Sequence, residues 1–267
     1  MPYSKKLVAD AVIAALTEGL GIYNLCNRSY DGLVKEDASS VDIPALPDLV
    51  VKTAGSAGDS ADRKGVKGDT SMVNVPLDKA SVPIKDEILA QFETNGKLLK
   101  DFISGANNSF IQHFDTKVLE TAVATDQVLQ WKGATLAWKD ITALNKKFNT
   151  NKVPRKGRII VIPSALEDEF YDIDVVKQAV AYNRDLLENG IVKVQGMTFF
   201  VSGLLPQVGG KDAIVGIYGP GLAFILSRFC ELKQAWDGVN LQDNIDVLSH
   251  FGYKLLNTKF AVVNAAA

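Results

Sequence analysis

The chain has 267 residues, of which 47% are hydrophobic and 22% charged, with a mean hydropathy of +0.06. That balance excludes a wholly disordered or collagen-like chain and supplies enough apolar mass for a real core. Lys and Arg number 29 against 31 Asp and Glu, a net charge of −2, which excludes a strongly basic nucleic-acid binder. Two cysteines, Cys26 and Cys230, cannot build a disulfide framework or a four-ligand zinc site. They fit a reducing compartment, a single bridge between them being the alternative.

Lys5 and Lys6 precede an apolar stretch, Leu7 to Leu16, in the manner of a signal peptide. Asp10 interrupts it and Glu18 follows, so the spacing of Val8, Val12, Leu16 and Leu20 is read as one face of an amphipathic helix over 4–25. No run approaches the ~18 apolar residues of a membrane span, so a soluble chain is expected. A polar stretch through Gly32 and Asp37 to Ser40 leads to extended chain at 43–51, punctuated by Pro44 and Pro47.

Residues 53–70 contain a single large apolar residue, Val66, and four glycines. Such a segment has nothing to bury in its own core. Strand-like pieces flank it at 49–52 and 71–77, which predicts an extended hairpin with a long polar tip; a surface insertion without structure is the alternative. Its charges are balanced, with Arg63, Lys64 and Lys67 against Asp59, Asp62 and Asp69.

From 96 to 123 apolar residues recur at steps of three and four, through Phe102, Phe110, Phe114, Val118 and Ala122. That stripe predicts a helix about 40 Å long. His113 lies beside the apolar face and is expected to be structural. A second helix is expected at 136–148, a buried strand at 158–162, and a capping box from Ser164 to Glu167 starting a short helix. A further helix over 175–187, strands at 191–194, 197–202 and 213–218, a short helix at 222–226 and a strand at 232–236 follow. Two closing strands are read at 251–256 and 259–264, with Asn257 and Thr258 in the turn of a last hairpin.

Motifs for catalysis are missing. There is no phosphate-binding P-loop and no Gly-x-Ser-x-Gly, and GPGLAF at 219–224 lacks the third glycine of a dinucleotide fingerprint. The densest carboxylate group, Glu167, Asp168, Glu169, Asp172 and Asp174, has the oxygen chemistry of a hard-cation site, although acids near a helix N-terminus are ordinarily a solvated face. Lys146, Lys147, Lys152, Arg155, Lys156 and Arg158 form a basic stretch beside it, read as a solvated charge face with phosphates or an acidic neighbour as the alternative.

Three segments carry a specific resemblance. NKVPRKGRIIVIPSALEDEF at 151–170, GIVKVQGMTFFVSGLLP at 190–206 and HFGYKLLNTKFAVVNA at 250–265 resemble stretches of tailed-bacteriophage major capsid proteins of the Hong Kong 97-type fold. The resemblance implies an α+β fold with an N-terminal arm at 1–42, an E-loop hairpin at 43–86 and a P-domain with the spine helix at 87–150. An α/β A-domain would occupy 151–249, and C-terminal strands at 250–267 would return to the P-domain. It further implies a non-enzymatic subunit without cofactor or metal, forming hexamers and pentamers of an icosahedral virion shell around double-stranded DNA. Scaffolding and portal proteins are the implied partners, the virion and the host cytoplasm the implied locations, and no membrane is involved. Arg63, Lys64, Lys67, Asp59, Asp62 and Asp69 become candidate inter-subunit contacts. One related shell cross-links a hairpin lysine to a neighbour's asparagine; Lys52, Lys64 and Lys67 lie in the right region, but no acceptor or catalytic acid matches residue by residue, so no cross-link is expected. An encapsulin-type nanocompartment shares the fold and length, and an α/β enzyme with an acidic metal site around Glu167 to Asp174 is the alternative from another class.

Overall fold

The computed structural model describes residues 21–31, 38–44, 72–85, 96–133, 135–182, 191–237 and 242–267. In chain order its elements are β1 (Ser40–Pro44), β2 (Met72–Lys85), α1 (Gly96–Val123), β3 (Val128–Trp131), α2 (Trp138–Thr150) and β4 (Arg158–Pro163). There follow α3 (Glu167–Asp172), α4 (Asp174–Tyr182), β5 (Ile191–Val194), β6 (Met197–Ser202) and β7 (Ala213–Tyr218). The chain closes with β8 (Leu222–Asp237), β9 (Gln242–Leu255) and β10 (Ala261–Ala266). The helix expected before residue 21, the expected hairpin tip and the end of the helix expected at 175–187 fall outside the described residues. No described helix is long and apolar enough to cross a membrane.

The run RIIVIP is apolar throughout because β4 is covered on both faces. It lies between β7, antiparallel, and β6, parallel, in a six-stranded sheet of order β3-β10-β7-β4-β6-β5. Ile159 and Val161 face α1 and join Phe110, Phe114 and Val118; Ile160 and Ile162 face the other way, toward Phe148, Phe170 and Val176 of α2, α3 and α4. The two-residue side-chain period of a strand thus separates two hydrophobic layers. Gly216 in β7 lets α2 close in, since an added Cβ would stand 2.8 Å from the Phe148 ring. The β5–β6 hairpin turns at Gln195 (φ 51) and Gly196 (φ +79), the two positive φ values of a tight primed turn.

A second sheet, β1-β2-β9-β8, is antiparallel throughout. It packs on α1 through Val247 and Phe251. The helix expected at 96–123 is α1, with Ala106, Phe110, Phe114, Val118, Leu119 and Ala122 buried.

Several expectations are corrected. The short helix read at 222–226 is instead the start of β8, whose far end is the strand read at 232–236. Leu222 to Ile225 are all buried, and β9 supplies an antiparallel partner along the strand, an option that local spacing does not reveal. The closing strands form no hairpin: β9 belongs to one sheet and β10 to the other, joined through a 3-10 turn at Thr258–Phe260 that Asn257 caps by accepting the Lys259 N–H. Ser164 makes no capping box, because it already lies inside a 3-10 turn and its carbonyl, not its hydroxyl, takes the Glu167 N–H. Residues 22–25 are a 3-10 turn rather than α-helix. Helix α2 begins at Trp138, two residues later than expected, because the Asp140 carboxylate accepts the Ala137 N–H and sets the start there. Strand β3 had no counterpart in the expectations.

Candidate assembly surfaces

Residues 21–31 form a strap that is fastened to the body of the same chain. The Asn27 N–H donates to the Leu222 carbonyl (2.8 Å) and the Phe224 N–H returns to the Asn27 carbonyl (3.0 Å), so the strap lies along β8 as a short parallel bridge. Asp31 accepts the Leu226 N–H (2.9 Å) and pairs with Arg28 (2.7 Å). From α1, Asp115 accepts the Tyr23 N–H at 2.9 Å. The Tyr23 ring meets Phe114 edge-on at 5.5 Å, and Cys26 is a free thiol buried beside it, its pKa pushed up by burial. Within the segment expected to be an arm, this part is therefore held by the chain's own α1.

Burial pushes the Asp115 carboxyl up to about 6, against the Tyr23 and Ile22 N–H groups that favour its charged form. Asp115 is absent from the sequence expectations, though a signal was there: a lone acid on the apolar stripe, four residues after Ile111 and three before Val118. His113 is exposed, with its ring 5.5 Å from Phe251, and partial burial lowers its pKa.

β1 pairs antiparallel with the first part of β2, Ser40 opposite Pro76 and Pro44 opposite Met72. The expected flank at 49–52 and the candidates Arg63, Lys64, Lys67, Asp59, Asp62 and Asp69 lie outside the described residues.

The basic stretch divides. Arg158 is 1% exposed, not part of a solvated face. Its guanidinium donates to the carbonyls of Pro154 (3.0 Å) and Val153, to the Asn145 side chain and to Asn149 Oδ1 (2.9 Å), and stacks 5.4 Å from the Phe148 ring centroid. It closes the C-terminal end of α2 and holds the connection into β4. Gly157 beside it and the asparagines upstream were the available signals, but a string of neighbouring lysines masked them. Lys146, Lys152, Arg155 and Lys156 are exposed and Lys147 half-buried.

The acids do not converge. Glu169 accepts the Leu136 N–H at 2.6 Å, and Asp172 pairs with Lys177 at 2.7 Å. Among the described residues no group of three or more His, Cys, Asp or Glu side chains is placed to hold a metal ion.

No protein-family model matches this sequence, and no curated protein is significantly similar to it. Solved structures are similar in fold. A structure from Mycobacterium phage Che8 is 17% identical, with a TM-score of 0.62 and 92% of each chain covered. The capsid structure of cyanophage P-SCSP1u is 13% identical, with a TM-score of 0.57, covering 93% of this chain and 88% of that one. A virus-like particle from Pyrococcus furiosus is 12% identical, with a TM-score of 0.57, covering 97% and 98%. The layered sheet, the long helix and the paired long strands together make up the fold that these phage, capsid and virus-like-particle structures share with this chain.

Proposed function

We propose that this chain is the major capsid protein of a tailed bacteriophage, with the Hong Kong 97-type arrangement of parts. The observation that carries the reading is the extent of the likeness: it runs over at least 92% of this chain in the phage and capsid structures compared. In this reading 1–42 is the N-terminal arm, 43–86 the E-loop, 87–150 the P-domain, 151–249 the A-domain, and 250–267 the return to the P-domain. The work of the subunit is structural rather than catalytic: it repeats one set of interfaces through hexamers and pentamers until an icosahedral shell closes around double-stranded DNA. Scaffolding and portal proteins assist in the host cytoplasm, and the product is the virion. A net charge of −2 suits a wall that must enclose nucleic acid without adhering to it.

Electron microscopy of the expressed chain, alone and with its scaffolding partner, tests the proposal. Closed shells or isolated pentamers and hexamers are expected, and shells recovered from infected cells should hold DNA rather than a protein cargo. A compact monomer at high concentration with the scaffold present overturns it.

A further inference from the structure

The charged side chains around β4 are sorted along its direction. At its N-terminal end stand Lys146 and Lys147 from the last turns of α2 and Lys152, Arg155 and Lys156 from the connection, with no acidic residue between Lys146 and Arg158. Among the described residues none of these five forms an ion pair. At the C-terminal end stand Glu167, Asp168, Glu169 and Asp172 on α3 and Asp174 at the start of α4. Lys177 pairs with Asp172, and Lys139 and Lys211 lie near the same end together with Asp212, which leaves that end anionic. Six residues of strand hold the two groups about 20 Å apart. Helix α2 spans the same gap, its beginning tied to the acidic end by the Glu169–Leu136 hydrogen bond and its end carrying the cations. Thirteen helical residues also cover about 20 Å, so the two measures agree.

Concentrated like charges repel one another, and beyond the Glu169–Leu136 and Asp172–Lys177 contacts neither group meets its opposite within the described residues. Nor can one subunit bring its two ends together, because β4 and α2 keep them apart. We infer that the two ends are the halves of a head-to-tail contact between copies of this chain, the cationic end of one subunit docking on the anionic end of the next around a ring. This rests on the shell proposed above. A heterologous contact of this kind closes into a ring when its rotation permits. A nucleic acid would account for the cations alone; a second copy accounts for both ends, since it brings the complementary charge of each.

The test is charge exchange in the full-length chain. One variant carries Lys152→Glu, Arg155→Glu and Lys156→Glu, making both ends anionic; another carries Asp168→Lys and Asp174→Lys, making both cationic. A third combines all five substitutions. These side chains are exposed, so each variant should melt within a few degrees of the parent. At physiological salt each of the first two should lose shell or capsomer yield roughly tenfold through like-charge contact. Mixing them in equal amounts should restore six-membered rings, in which the two variants can alternate, and the combined variant alone should restore rings of either size. Unimpaired assembly of both single-end variants overturns the inference, as does failure of both the mixture and the combined variant to recover. Shells that form normally but lose only their nucleic acid when the cations are reversed assign that end to a polyanion instead. A parent chain that never assembles overturns the shell reading itself.

Discussion

Arg158 brings its donors into a buried site where every acceptor that holds it is a neutral oxygen. Burial lowers its pKa, and the negative end of the α2 dipole compensates by favouring a cation there. Arg158→Met should therefore leave several carbonyls unsatisfied and cost ~2–4 kcal/mol in urea unfolding. Arg158→Lys should recover only part of this, since an ammonium cannot reach acceptors spread over residues 145 to 154. Full recovery by lysine would show that charge rather than the fork of donors matters. Asp115 makes the opposite kind of prediction. Its folded pKa of about 6 lies above the ordinary 3.8, so its stabilising contribution is complete below 3.8 and is lost as pH rises through 6. At ~1.4 kcal/mol per pH unit, the charged form costs on the order of 3 kcal/mol at pH 8. Asp115→Asn, which keeps an acceptor for the Tyr23 N–H, should melt several degrees above the parent at pH 8, and the gap should close toward pH 5. A variant that is less stable at pH 8 would mean that the carboxylate charge holds the strap.

Among the elements, α1 is the one whose loss the core can least absorb. The Phe114 ring is completely buried, 4.8 Å from Phe251, 5.3 Å from Phe224 and 5.5 Å from Tyr23, so it joins the helix to both long strands and to the strap. Phe114→Ala should cost ~3–5 kcal/mol and give unassembled or insoluble subunits. An unchanged melting temperature would contradict this packing. The same helix shows what local spacing reveals: its burial repeats every three or four residues, and 96–123 is readable for that reason. The run at 158–162 was equally plain, because a strand covered on both faces has no polar side to disguise it. β8 was not, since its identity as a strand depends on β9, which follows it in sequence but pairs along its whole length. Nor was Arg158, whose acceptors are assembled only once α2 and β4 are in place. The separation of β9 from β10 into different sheets is likewise a long-range outcome that a two-residue turn at Asn257 and Thr258 does not signal.

At the scale of the whole molecule, the segment 53–70 poses the sharpest question. With Val66 as its one large apolar residue it has almost nothing to contribute to its own core, so removing it should hardly change the stability of a free subunit. Its balanced charges, Arg63, Lys64 and Lys67 against Asp59, Asp62 and Asp69, suit pairing with a neighbouring copy. Each exposed pair is worth only ~0–1 kcal/mol, but a shell repeats every contact at every equivalent interface. Replacing 55–68 with a short Gly-Ser link should therefore separate two properties. Subunit melting should stay nearly constant, while the yield of shells or their resistance to denaturant should fall sharply. Hydrogen exchange gives an independent reading, with the segment unprotected in free subunits and protected in assembled ones. Equal exchange in the two states would leave the segment a surface insertion and move the inter-subunit contact to the charged ends of β4.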